Sequence, residues 1–309
     1  MIHPSELTVT PLHAAEHPLW ADFLAKAGNG AIFHDLNFLA YHPPDRYNFN
    51  HLLIRHNKQI IALLPGGLLK EDGKLLFSSP LGASFGGLVL APSPSADLVR
   101  ACVIAVQDYV CNAGWSGIDM ILPPPYYSSP PNQVVDFSLY INGFTLYKQW
   151  LCHGIQLTGG DILHRLHKKQ ACGVRAAIRM GIKFIESGKE NLAHFIELFN
   201  ETYQRHGVSP THSETEIADL MQRFPERIRL HLAFFEDHPV AGVLLFHVTK
   251  QVAYTFYICR NQAYAKYYGT SALFTDIVCR LSATGFTHVD LGPSASKMNF
   301  NYGVAKYKE

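Results

Sequence analysis

Several things are scarce in this 309-residue chain, and each absence removes a class of protein. Neither sign of charge is in excess: Lys and Arg total 26, Asp and Glu 25, giving a formal net charge of +1. Such a balance gives no long-range pull toward nucleic acid or an anionic membrane, although a local basic patch can still act. No apolar run is long enough to cross a bilayer. The N-terminus, Met1-Ile2-His3-Pro4-Ser5-Glu6, lacks the charged-then-apolar plan of a secretory signal. The six cysteines, Cys102, Cys111, Cys152, Cys172, Cys259 and Cys279, form no C-x-x-C pair and sit mostly within apolar runs. They read as buried free thiols in a reducing compartment, so a cytoplasmic location is expected. A Gly-x-Ser-x-Gly elbow and a Walker loop are both missing. His164-x-x-His167 has helix-face spacing for a metal but no third ligand nearby, so no metal is expected.

Hydrophobic residues make up 48% and charged residues 17% of the chain, the balance of a globular protein. The length suits two halves of about 150 residues each. One order of elements recurs. In the first half, His17 to Ala27 is helical, with Leu19, Trp20, Phe23 and Leu24 on one face. Strands at His51–His56 and Gln59–Leu64 flank the polar turn Asn57-Lys58, and a second turn, Lys70 to Lys74, leads into Leu75–Phe77. Asp97–Val110 is helical, with Leu98, Ala101, Cys102, Ala105 and Tyr109 as its apolar stripe. Gly117–Leu122 is a strand.

The second half repeats the order. A helix is marked by Leu192, Phe195, Ile196, Phe199 and Tyr203. Three strands follow, Arg229–Phe235, Val240–Val248 and Val252–Ile258. Thr270–Ala283 is helical and Thr287–Leu291 is the last strand. Strands joined by short turns run antiparallel, and a strand reached through a crossover helix runs parallel. The expected fold is therefore α/β (α+β), with a mixed, mostly antiparallel sheet flanked by helices in each half. Pro123 to Pro131 is an extended, proline-rich connection. The expected hinge is Thr158-Gly159-Gly160-Asp161, with Asp161 capping the helix after it, which divides the chain into 1–160 and 161–309. Apolar strand-like segments are expected across Leu146–Leu157.

Five stretches, taken in order, carry a resemblance to a known family. They are KKQACGVRAAIRMGIKF from Lys168, FNETYQRHG at 199–207, PVAGVLLF at 239–246, the tail from Gly285 with GFTHVDLG and NYGVAKYKE, and, in the first half, FSSPLGASFGGLVL at 77–90. Over most of residues 150–309 the chain resembles the Fem-type transferases and related acetyltransferases of the GNAT fold. The resemblance implies two tandem GNAT-like domains and an acyltransferase, either an N-acetyltransferase or a Fem-like aminoacyltransferase. It implies acyl-coenzyme A or aminoacyl-tRNA as co-substrate, with no tightly bound cofactor. The acceptor would be an amine on a cell-envelope (glycan) precursor or a small molecule, bound in a cleft between the halves. Two departures stand out. The Gly-rich loop that holds the coenzyme A pyrophosphate is reduced to one glycine in Tyr267-Tyr268-Gly269-Thr270-Ser271-Ala272, and this favours an alternative, a catalytically silent ligand-binding protein. The span 207–229 is too short for the charged helical hairpin carried by many Fem enzymes, which weighs against a tRNA donor.

The same resemblance places Lys308 beside the reacting carbonyl, where a cation would stabilise an oxyanion; the plain reading is a solvated lysine next to Lys306. Arg205 matches an arginine that grips substrate phosphates, or it simply complements the end of its helix. His206 could serve as base, or be one of 17 histidines with a structural role. Asp290 could be a base or a turn cap. Tyr254 and Tyr257 lie on the strand expected to border the acyl group. Gly86 and Gly87 would permit close approach of a ligand, or merely a turn. Gly269, Thr270 and Ser271 begin the helix whose N-terminus could hold an anion. Arg165, Lys168, Lys169, Arg175 and Arg179, on a helix expected over Ile162–Met180, would line a groove for a phosphate-bearing substrate or form a solvated face.

Overall fold

The computed structural model describes residues 2–159, 162–296, 299–300 and 302–308. Its contacts divide the chain into two units, Met1–Lys148 and Gln149–Glu309. The expected join at 160/161 falls later. The reason is β9 (Cys152–Gln156), which pairs with a strand of the second unit and so belongs to that sheet. It is also the only part of Leu146–Leu157 that is a strand. Asp161 lies outside the described residues, and so does Gly160.

The first unit contains β1 (Leu7–Pro11), α1 (His17–Lys26), α2 (Leu36–Leu39), β2 (Asn48–Phe49), β3 (Leu52–His56), β4 (Gln59–Leu64), β5 (Gly67–Glu71), β6 (Lys74–Ser79), β7 (Val89–Leu90), α3 (Ala96–Asn112), β8 (Gly117–Met120) and α4 (Val134–Ile141). The strands form two four-stranded sheets, ordered β1-β3-β4-β7 and β2-β5-β6-β8, rather than one three-stranded meander. Both hairpins close on two residues with positive φ, Asn57 (47°) with Lys58 (69°), and Asp72 (48°) with Gly73 (76°). That backbone matches the right-handed twist of the flanking strands. β6 and β8 are parallel, joined through α3. Ser95 caps α3 by accepting from Leu98 N. The buried stripe of α3 is Val99, Cys102, Val103, Val106 and Val110, with Leu98 and Tyr109 at its margin. The helix is therefore rotated slightly from the expected face, against Leu52, Ile54, Leu64 and Phe77.

The second unit contains, after β9, α5 (Lys168–Arg179), β10 (Lys183–Ser187), α6 (Leu192–His206), α7 (Glu214–Arg223), β11 (Ile228–Phe235), β12 (His238–His247), β13 (Val252–Arg260), α8 (Gly269–Ala283), β14 (His288–Pro293), β15 (Ala295–Ser296), β16 (Asn299–Phe300) and α9 (Tyr302–Lys308). Six strands form one sheet, β10-β11-β12-β13-β14-β9. All its neighbours are antiparallel except β13 and β14, which are parallel because α8 crosses between them. Alternation along β12 sets the two faces. Ala241, Val243 and Leu245 pack with Leu273 and Ile277 of α8 and Val174 and Ala177 of α5. Gly242 points the other way, where an added Cβ would meet Phe195 and Leu198 of α6 at 3.0 and 3.2 Å.

The helix expected over Ile162–Met180 is interrupted. A short 3-10 turn occupies Ile162–His164 and α5 starts only at Lys168. The span 207–229 holds one helix, α7, begun by a reciprocal capping box in which Ser213 accepts from Glu216 N and the Glu216 carboxylate accepts from Ser213 N. Among the described residues no helix is long and apolar enough to cross a membrane.

Candidate active site

β13 and β14 run side by side for only three residues: Val252 opposite His288, Ala253 opposite Val289, and Tyr254 opposite Asp290. Both strands are irregular where the pairing stops. On its other edge β13 pairs Thr255 with Leu245 and Tyr257 with Leu244, so Phe256 is an extra, bulged residue. On its outer edge β14 pairs Asp290 with Gly154 and Pro293 with Cys152, so Leu291 and Gly292 stand against a single residue of β9. A bulge bends the strand that carries it and increases the local twist. Two bulges at one level, on strands joined only below that level, turn them apart.

The side chains around the bend hold it open. Thr255 Oγ1 donates to the Asp290 carbonyl oxygen at 3.2 Å, at the last paired step of the two strands. Asp290 is 5% exposed. Its Oδ1 accepts from Gly292 N at 2.6 Å, closing a turn two residues long. Gly292 has φ of +72°, and an added Cβ there would lie 3.0 Å from Tyr254 Cε2. Backbone freedom and the absence of a side chain are therefore both required at this position. The kink presents two successive carbonyls, Gly292 O and Pro293 O. Lys308 of α9 donates from Nζ to each at 2.9 Å. Burial pushes the Lys308 ammonium below its ordinary pKa, against an upward pull from Asp290 and Cys152. Burial in turn raises the Cys152 thiol to about 11, and it raises the Tyr254 phenol, with Asp290 adding to both.

Beside the parted strands lies a cavity of about 230 Å³. Ile155, Ile258 and Leu291 from the sheet, Ile162 and Leu166 from the segment before α5, and Phe274 from α8 make its walls apolar. Ser271, Thr275, Gln170 and Lys308 supply polar groups. Arg165 also borders it, while its guanidinium donates to Gln156 O at 2.8 Å. α8 starts at the cavity. Ala272 N makes the first bond into the helix, to Tyr268 O, so the amides of Gly269, Thr270 and Ser271 precede the helix ladder. Tyr268 holds a left-handed φ of 57°, and Gly269 is buried, with Val240 Cγ2 2.8 Å from where a Cβ would stand. Of these three residues only Ser271 lines the cavity.

The bend thus gathers Lys308, Asp290 and Tyr254, with Ser271 nearby. The other expected site residues stand elsewhere. Arg205 and His206 are exposed at the end of α6, where Arg205 Nη1 donates to Gln262 Oε1 at 3.0 Å. Tyr257 is buried toward α6, its ring 5.0 Å from that of Phe199. Lys168, Lys169, Arg175 and Arg179 lie on the exposed face of α5. Gly86 and Gly87 belong to the first unit and carry a tight backbone crossing. Gly86 N donates to Ile121 O, Gly87 N donates to Ser79 Oγ, and a Cβ on Gly86 would sit 2.8 Å from Pro80 N. A small recess beside them, about 30 Å³, has room for one water. Among the described residues no group of three or more His, Cys, Asp or Glu is placed to hold a metal ion.

Sequence reasoning passed over Thr255, Gly292, Cys152 and Thr275. Only Gly292 had a readable signal: Asp290-Leu291-Gly292 has the spacing of an aspartate capping its own turn, with a glycine where φ is positive. Nothing local marked the others, which reach the site through pairing across the sheet and through the face of α8.

A strand pair parted by a bulge beside a crossover helix defines the class of the second unit. Residues 167–309 match the family model described as the acetyltransferase (GNAT) domain, so this unit holds a GNAT-type domain. No curated protein matches the chain in sequence. In fold the chain is similar to FemX, with a TM-score of 0.70 at 13% identity, over 97% of this chain and 93% of that one. It is also similar to a conserved protein of unknown function from Bacteroides thetaiotaomicron (TM-score 0.60, 8% identity, 98% and 94% of the two chains). A third structure, L-PGS from Bacillus licheniformis, gives 0.57 at 13% identity over 91% and 79%. The chain is a mixed α/β protein of two units, of which the second carries the GNAT match.

Proposed function

We propose that the chain is an acyltransferase that moves an acyl or aminoacyl group onto an amine, with the second unit supplying the reaction centre. One observation carries this reading: β13 and β14 part beside a cavity that has Lys308 in its wall. Parted strands present backbone N–H and C=O groups that a neighbouring strand would otherwise consume. A carbonyl substrate lying in the gap meets those donors in a site partly screened from water, where they act strongly.

The amine nitrogen attacks the carbonyl carbon and forms the new N–C bond. The carbonyl π electrons move onto oxygen, and the Lys308 ammonium stabilises that oxyanion. An ammonium has three N–H donors, and the carbonyls of Gly292 and Pro293 take two of them. As the intermediate collapses, the bond to the leaving group breaks. The leaving group is a thiolate if the donor is acyl-coenzyme A, or a ribose oxygen if it is aminoacyl-tRNA. The proton lost by the amine balances the proton gained by the leaving group. Ser271 and Thr275, at the start of α8, are the groups of this chain positioned to orient the donor arm. The acceptor that fits the Fem resemblance is an amine on a cell-envelope precursor, encountered in the cytoplasm; a small amine is the other choice.

The assay offers acetyl- and longer acyl-coenzyme A and charged tRNAs with a panel of amines, and reads the product by mass. Lys308→Ala is expected to lower kcat by about 100-fold or more, the size of a lost oxyanion donor. Full turnover in that variant would remove Lys308 from the mechanism. A second reading, a silent binder, is favoured by the single glycine, Gly269, before α8. Calorimetric binding of a donor with no transfer to any amine would select it.

A further inference from the structure

We infer that Asp290 is a positioning residue, whose carboxylate fixes the β14 kink and so builds the two-carbonyl seat that orients Lys308. The inference rests on the transfer reading for its consequence in catalysis, but its structural content stands apart from turnover.

Four contacts converge on this role. The Asp290 carboxylate accepts from Gly292 N at 2.6 Å, which folds the chain back two residues on. Its own carbonyl is held by Thr255 Oγ1 across the parting. Gly292, in the left-handed conformation and pressed against the Tyr254 ring, can then turn its carbonyl, with that of Pro293, to one point. Lys308 Nζ occupies that point, 2.9 Å from both oxygens. A proton acceptor for catalysis would have to reach the substrate amine. At 5% exposure, with Oδ1 already accepting a backbone N–H, Asp290 is spent on the fold of the strand instead.

Charge adds a second effect. The groups acting on Lys308 are Asp290 on β14 and Cys152 on β9; both favour the ammonium, while burial disfavours it. Tyr254 on β13 is a phenol that burial keeps neutral; His153 of β9 stands opposite the bulge and bonds Ser294, and Arg165 and His167 border the cavity that Lys308 lines. Asp290 therefore holds Lys308 charged as well as oriented.

The test reads Lys308 directly. In protein carrying 13C-labelled lysine and aspartate, the Lys308 ε-carbon and the Asp290 carboxyl carbon are followed by NMR as pH rises. The Asp290 signal is expected to move in step with Lys308 deprotonation. Two independent titrations would overturn the inference, and this measurement needs no variant. Asp290→Asn keeps an oxygen for Gly292 N but loses the charge, so the Lys308 midpoint should fall by about 1 pH unit. If the enzyme turns over, the alkaline limb of its pH profile should fall with it, and kcat should drop at least tenfold while the donor KM changes less than threefold. An unmoved Lys308 midpoint, or an unchanged kcat, would reduce Asp290 to an ordinary turn residue. Coupled titrations in a protein that transfers nothing would sink the transfer reading and leave this one standing.

Discussion

The hydroxyl of Tyr257 lies 2.6 Å from Nδ1 of His212, a hydrogen bond between two side chains that are each about 5% exposed. It fastens the loop between α6 and α7 to the half of β13 that has left β14. The rings of Phe199 and Tyr203 pack against Tyr257 from the same side. The residue after Tyr257, Ile258, points to the opposite face and lines the cavity. One wall of the site is therefore anchored from behind by a loop that never enters it.

Tyr257→Phe keeps the ring and removes the hydroxyl, leaving the buried His212 nitrogen with one partner fewer. The expected loss is about 1–3 kcal/mol, read as a lower urea midpoint at unchanged slope. A midpoint equal to the parent's would show that the bond is replaced at no cost.

Acid should weaken the second unit through His231. This residue, 3% exposed on β11, has neither ring nitrogen partnered among the described residues. Burial lowers its pKa to about 4; the Glu186 and Asp276 carboxylates oppose that, and His247 and Arg280 assist it. The folded state thus holds His231 neutral over a range where the unfolded chain, titrating near 6.5, takes up a proton. Its contribution is complete above pH 6.5 and is lost as pH falls toward 4, on the order of 3 kcal/mol in all. Burial lowers His34 and His51 of the first unit as well, so the parent is best compared with His231→Leu. The parent should lose stability relative to the variant as pH falls from 6.5 to 4. Parallel curves would contradict this account.

Gly67→Ala should destabilise the first unit. An added Cβ would strike the Asn48 carbonyl, Leu81 Cδ1 at 2.7 Å and Phe49 Cα at 2.9 Å, where β5 meets β2. Two of the three are backbone atoms that cannot rotate away. About 1–3 kcal/mol is expected from such overpacking, measured by chemical denaturation. A variant as stable as the parent would mean that β2 yields freely.

Ser271→Phe tests the cavity as the seat of the donor. The larger ring would occupy the space beside Lys308 and Thr275, in the cavity that Leu291 of β14 also lines. Donor affinity by calorimetry should fall at least tenfold, with the melting temperature within a few degrees of the parent's. Undiminished affinity would place the donor elsewhere.

Much of the second unit could be read from sequence because its signals are local. Apolar residues three and four apart in Leu192–Tyr203 define a helix stripe. The turns before β12 and β13 leave no choice but antiparallel pairing, and α8 forces β14 to lie parallel to β13. The capping box at Ser213 and Glu216 was equally local and would have revealed α7. In the first unit, Asn57-Lys58 and Asp72-Gly73 fixed two hairpins, but not their separation into two sheets, which depends on distant partners such as β1 and β2.

The chain by itself determined the order of the main helices and strands and the parallel crossover, because periodicity and turn chemistry are written in consecutive residues. Only the tertiary structure decided that Thr255, Asp290, Gly292 and Lys308 meet at one bend while Arg205 and His206 stand at the end of another helix. Those meetings depend on the residue added to each strand at the bulges, and pairing register is a property of the assembled sheet rather than of any one segment.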